Sequence, residues 1–101
     1  MISLYYSPNS CALASHILLE EVGANYSVIE INFNKNEQRK SNYLSVNAKG
    51  RVPALLTEEG VLTETPAILL YIAQKYPQKK MAPLDNIYQL AKTQELNSYL
   101  C

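Results

Sequence analysis

The sequence predicts an α/β protein with elements in the order β-α-β-α-β-β-α, folded as a mixed four-stranded sheet with helices on its faces and followed by the start of an all-helical part. Three observations carry this. Short β-branched and aromatic runs alternate with stretches of helical period in the first part of the chain. Two apolar runs, 52–57 and Val61–Thr63, are separated only by Glu58-Glu59-Gly60, which is too short for a crossover and forces an antiparallel hairpin. Helix punctuation falls where those runs change character: Gly23 after the first helix, Pro66 at the start of the next, Pro77 at its end.

Taken in order, Ile2–Tyr6 is short, apolar and aromatic and reads as a strand. Ser7-Pro8-Asn9-Ser10 is a turn with capping chemistry, and Ser10 is the expected N-cap. A helix is predicted over 11–22, with Leu13, Ile17 and Leu18 on its apolar side and Gly23 as its terminator. Residues 26–31 read as the second strand, and right-handed crossover connections place it parallel to the first. Asn34-Lys35-Asn36 is a turn, and a short helix is expected over 37–44. Asn47-Ala48-Lys49-Gly50 is a loop leading into the hairpin. A helix is expected over 66–76, with Ala67, Leu70 and Tyr71 on one stripe widened by Ile68, Leu69 and Ile72. Residues 78–84 form a linker. Asp85 or Asn86 then caps a helix over 85–101, whose apolar side has nothing left to cover it and implies further helices beyond. The topology is the thioredoxin arrangement, and the expected division is a domain over 1–77, the linker, and the first helix of a second domain.

Composition narrows the function. The chain has 101 residues, 48% of them hydrophobic, which suits one full-sized domain. Nine basic residues balance nine acidic ones, so no net field favours nucleic acid or an acidic membrane. No apolar run reaches the ~20 residues of a membrane helix, and the N-terminus has no basic region ahead of a long apolar run, so no signal peptide is expected. The cytoplasm is the default compartment. The two cysteines make no disulfide framework, and with one histidine, His16, no metal site is expected. His16 itself reads as a surface or rim residue.

Three stretches carry possible chemistry. In Tyr6-Ser7-Pro8-Asn9-Ser10-Cys11, the cysteine falls at a helix start at the carboxyl end of the first strand, where ligands gather on open α/β sheets. Helix-start amides favour a thiolate there; the alternative is a small apolar residue packed under the sheet. Ser10 or Tyr6 could supply a hydroxyl to such a thiolate. In Gly50-Arg51-Val52-Pro53-Ala54-Leu55, the prolyl bond is the usual place for a cis peptide. That geometry would turn the Val52 amide and carbonyl outward to pair with an extended backbone, whereas a plain strand-initiating proline would not. In Thr63-Glu64-Thr65-Pro66, Thr65 is an expected N-cap with proline at N1, and the same helix start can hold an anion. Glu64 beside it could accept an ammonium, so together they suit an α-amino acid head; the alternative is an ordinary capped helix. Lys35 and Arg51 are candidates for a second carboxylate.

Taken together, strand–Tyr-Ser-Pro-x-x-Cys–helix, then Asn-x-Lys-Gly-Arg-Val-Pro-Ala-Leu, then Leu-Thr-Glu-Thr-Pro-Ala-Ile resembles the N-terminal domain of the glutathione transferases, most closely the bacterial beta class. The resemblance spans about residues 1–77. It implies glutathione extended across Pro53 and paired to the Val52 backbone. The γ-glutamyl end would lie at Glu64 and Thr65, the glycine end near Lys35, and the sulfur opposite Cys11 and Ser10. Arg51 stands where the beta class often has glutamine, Ala12 where it often has serine, and Thr65 where serine or glycine is common. The expected activity is a glutathione transferase that stabilises the thiolate for attack on a small electrophile, with glutathione as co-substrate, no other cofactor, a role in detoxification and a homodimeric assembly. Two other readings stand beside it: a monothiol oxidoreductase using Cys11, and a non-catalytic binding or dimerisation module of the same fold.

Overall fold

The computed structural model describes residues 2–100; the expected boundaries at Met1 and Cys101 lie outside them. The elements are β1 (Ile2–Tyr6), α1 (Ala12–Glu21), β2 (Tyr26–Glu30), two 3-10 turns (Phe33–Lys35 and Glu37–Arg39), α2 (Ser41–Leu44), β3 (Ala54–Leu56), β4 (Val61–Thr63), α3 (Thr65–Lys75), a 3-10 turn (Pro77–Lys79) and α4 (Ile87–Leu100). The sheet order is β2-β1-β3-β4. β1 and β2 are parallel, with Leu4 beside Val28; β3 runs antiparallel to β1, with Leu55 beside Leu4, and β4 antiparallel to β3. This is the expected thioredoxin-like mixed sheet.

Alternation along β1 divides the core. Ile2 and Leu4 face α1 and α3, where Leu19, Val22, Leu55, Ile68 and Ile72 complete one cluster. Tyr5 faces the other way, onto Tyr43, Ile31, Ala54, Val46 and Val52 under α2. Tyr43 is the anchor of that thinner layer, tilted against the Tyr5 ring at 5.5 Å.

Several expectations change. The buried side of α1 is Ala12, Ser15 and Leu19, while Leu13 and Ile17 are 60% and 53% exposed. Leu13 is one residue round from Ala12, so it turns away by about 100°. On α3 the buried set is Thr65, Ile68, Ile72 and Ala73, with Ala67 exposed. The 37–44 helix is broken at Lys40, whose φ −84, ψ 152 is extended, into a 3-10 turn and the single turn α2. β2 stops at Glu30, although the Ile31 amide still donates to the Tyr6 carbonyl at 2.7 Å. β3 begins only after Pro53. Gly23 terminates α1 at φ +68 and Asn86 Oδ1 caps α4 by accepting from the Gln89 amide at 2.9 Å, both as expected. No helix among the described residues is long and apolar enough to cross a membrane.

Candidate functional site

Two adjoining cavities open where the β1–α1 turn, the 47–53 loop and the start of α3 meet. The first, about 490 Å³, is lined by Cys11, Asn47, Arg51, Val52, Pro53, Glu64, Thr65, Pro66, Ala67 and, from α4, Ser98. The second, about 730 Å³, continues from Cys11, Arg51 and Val52 toward Ser10, Phe33, Gln38, Arg39 and Lys49. Both have the size of ligand clefts, roughly 300–1,000 Å³.

Cys11 is exposed and occupies the N-cap position of α1 rather than its first turn. Its side chain makes no capping bond, because Ser10 takes that role: Ser10 Oγ accepts from the Ala12 amide at 3.2 Å and donates to the Ser7 carbonyl at 2.6 Å. The packed-under-the-sheet alternative for Cys11 is therefore excluded; Ala12, next in sequence, fills that place.

The Val52–Pro53 peptide bond is cis. The Arg51 carbonyl just before it accepts from Asn47 Nδ2 at 2.9 Å and from the Tyr43 hydroxyl. Gly50 supplies the turn at φ +65, and a Cβ there would meet the Gln38 carbonyl oxygen at 3.0 Å.

At α3 the N-cap is Glu64, not Thr65; Thr65 is the first helical residue, buried, with Pro66 next. Glu64 has φ +74 and makes no capping bond. Its carboxylate instead turns to Lys49, which donates to Glu64 Oε2 and to Thr63 Oγ1, the latter at 3.1 Å. The hydrogen bond and charge of Lys49, with a smaller contribution from Arg51, hold the Glu64 carboxyl below its ordinary value of 4.5. A depressed acid contributes stability above its unfolded pKa and loses it as pH falls through the folded one. The contribution of this pair is therefore full at neutral pH, lost on acidification below 4.5, and small, since both side chains are about half exposed or more. An NMR titration should place the Glu64 midpoint below 4.5, and Lys49→Met should move it up.

The charges divide along the cleft. Glu64 is the carboxylate lining the first cavity, whereas the second is lined by Arg39, Lys49 and Arg51 with no carboxylate. An extended ligand crossing Val52 thus meets Glu64, already paired with Lys49, in the first cavity, Arg51 and a thiol where the cavities join, and Arg39 in the second.

Of the sequence candidates, the structure brings Cys11, Ser10, Arg51, Val52, Pro53, Glu64 and Thr65 to this cleft. Tyr6 and Lys35 line neither cavity. The Tyr6 hydroxyl lies 3.5 Å from Glu30 Oε1 and its ring packs 5.7 Å from His16, which is half-buried between Tyr6 and Tyr26. Lys35 closes a 3-10 turn whose amide is held by Asn32 Oδ1 at 3.2 Å. Lys49, Arg39, Asn47 and Ser98 were not singled out by sequence. Lys49 and Asn47 sit in the loop ahead of Arg51, which was the available signal; Ser98 carried none. Among the described residues no group of three or more His, Cys, Asp and Glu side chains could hold a metal.

Residues 2–74 match the family model described as glutathione S-transferase, N-terminal domain. The chain is similar to glutathione S-transferase GstA of Escherichia coli, 37% identical over 99 residues, covering 95% of this chain and 49% of that protein. It is also similar to the transcriptional regulator URE2 of Saccharomyces cerevisiae, 36% identical over 98 residues, covering 93% of this chain and 27% of that protein. Among solved structures, a sphingomonad glutathione S-transferase complexed with glutathione matches with a TM-score of 0.87 at 38% identity, over 97% of this chain and 50% of that one. The chain therefore spans half or less of the length of these relatives.

Proposed function

The chain belongs to the glutathione S-transferase N-terminal domain family, and from that premise we propose that it binds glutathione and holds its thiolate for attack on a small electrophile, as the glutathione-binding half of a transferase. The observation that carries the reading is the shared floor of the two cavities, Cys11, Arg51 and Val52, with the acid Glu64 in the first cavity and Arg39 in the second. Glutathione has a complementary charge order: an α-amino acid head, a peptide with a thiol, and a terminal carboxylate.

In this reading the Val52 backbone pairs with the cysteinyl unit of the ligand. Glu64 accepts the ammonium, displacing Lys49. The first amides of α3 and the Thr65 hydroxyl receive the α-carboxylate. The glycine carboxylate goes to the second cavity, to Arg39 and to the Lys49 ammonium once it has been displaced from Glu64; Lys35, which lines neither cavity, has no part in this arrangement. The sulfur lies by Cys11 and Ser10, at the start of α1, where helix amides stabilise negative charge. Attack of the bound thiolate forms a carbon–sulfur bond and expels the leaving group of the electrophile. Positioning and charge stabilisation are the sources of rate. With oxidised glutathione, the Cys11 thiolate attacks one sulfur, forms a mixed disulfide and releases the other half as thiolate. We place the domain at 1–77, the linker at 78–84, and α4 as the opening helix of a helical second domain, in a cytoplasmic, homodimeric enzyme of detoxification.

The similarity to a transcriptional regulator favours, as a second reading, the non-catalytic module of the same fold. The experiment is retention on immobilised glutathione, followed by intact mass after oxidised glutathione. Retention and a Cys11 adduct are expected, with the adduct lost and retention kept in Cys11→Ala. Absence of retention would overturn the glutathione reading; retention without an adduct would remove the redox step.

A further inference from the structure

We propose that Tyr43 and Asn47 are positioning residues for the peptide ligand: together they clamp the Arg51 carbonyl and so present the Val52 backbone to the cleft. The proposal rests on the glutathione reading and extends it to Tyr43, which lines neither cavity, and to Asn47, which lines the first cavity and is assigned a positioning role through Arg51.

Both donors converge on one oxygen. The Tyr43 hydroxyl and Asn47 Nδ2 donate to the Arg51 carbonyl, the latter at 2.9 Å. A carbonyl has two lone pairs, so this pairing fills it. Asn47 uses its other end as well, Oδ1 accepting from the Lys49 amide at 3.1 Å, while its own carbonyl accepts from the Gly50 amide at 2.9 Å. The loop 47–51 is thus folded onto one side chain. Tyr43 and Asn47 are 3% and 5% exposed, so solvent does not compete for these bonds. Burial pushes the Tyr43 phenol up, and the hydroxyl keeps the proton it donates.

What the clamp holds is the segment both cavities share. Arg51 and Val52 line each of them, and the β-ladder does not begin until Ala54. Tyr43 lines neither cavity, so it acts through Arg51 rather than on a ligand. Its ring is independently seated against Tyr5. Tyr43→Phe therefore removes the donor and keeps the packing. A loop released at one of two bonds samples other arrangements, and a ligand that needs the clamped one binds with an affinity reduced by the fraction of molecules in that state.

The test is calorimetric titration of the full chain with glutathione, for wild type, Tyr43→Phe, Asn47→Ala and the double variant. Each single change should raise Kd by about 3- to 10-fold, the scale of one hydrogen bond. Stoichiometry should stay unchanged, and the double change should exceed the product of the two, because each donor partly covers for the other. A purely structural role would instead lower the binding stoichiometry and the melting temperature while leaving the Kd of the folded molecules unchanged, and that result would overturn the proposal. So would unchanged Kd in both single variants, or failure of both to fold, which would assign the pair to the core alone. Lack of glutathione binding by the wild type is a separate result: it would refute the glutathione reading itself and this extension with it.

Discussion

Glu64→Gln is expected, on the proposed function, to weaken glutathione binding by about 10- to 100-fold, the range set by a hydrogen bond to a charged group. The carboxylate is the acid lining the first cavity, so an incoming ammonium has no second partner there of the same kind. Glutamine keeps the length and the backbone of the side chain and removes only the charge. The fold should not respond, because the Glu64 side chain is 63% exposed and makes no helix cap. Lys49 tempers the effect: it already pairs with the acid, and the ligand gains only the difference between its own ammonium and that of Lys49. Titration calorimetry at low and moderate salt measures both parts, and the loss should shrink as salt screens the acid. Equal affinity for wild type and variant at low salt would move the amino-acid head elsewhere.

Leu4→Ala removes about 3–5 kcal/mol of stability, a large share of the roughly 5–15 kcal/mol typical of a domain. Leu4 is fully buried in β1, an inner strand hydrogen-bonded on both sides, directly beside Leu55. It faces α1 and α3, whose contacts with the sheet are Leu19, Ile68 and Ile72, also fully buried. A void at this point is walled by paired strands and two helices, so little can move in to fill it. Urea denaturation reads the change as a lower midpoint at unchanged slope. A loss under about 1 kcal/mol would mean that the α1–α3 layer collapses onto the sheet more freely than close packing allows.

The architecture was legible because its signals are local. Glu58-Glu59-Gly60 dictates the hairpin, Gly23 ends α1 at a positive φ, and Asn86 caps α4. The buried side of α1 was legible only in part: of Leu13, Ile17 and Leu18, Leu18 packs against the core, while Leu13 and Ile17 are exposed and Ala12, Ser15 and Leu19 are buried, because both sets fit helical spacing and only tertiary packing chooses between them. The site divides the same way. Cys11, Val52, Pro53, Glu64 and Thr65 belong to compact motifs and meet in the cleft. Lys49 acquires its partners, Thr63 and Glu64, only when the loop meets the start of α3, a long-range event that local sequence does not encode, whereas Asn47 bonds within its own loop, to Arg51 and Lys49. Tyr6 sits at the strand end as expected, but alternation along β1 sends its ring toward His16.

The positive φ of Glu64 has a consequence for anyone selecting variants. A side chain with a Cβ is uncomfortable in that half of the backbone map, and glycine would relieve it. Screening for heat resistance alone would therefore enrich glycine at position 64 and discard the acid that the proposed function assigns to the ligand head, so tougher molecules should be poorer binders.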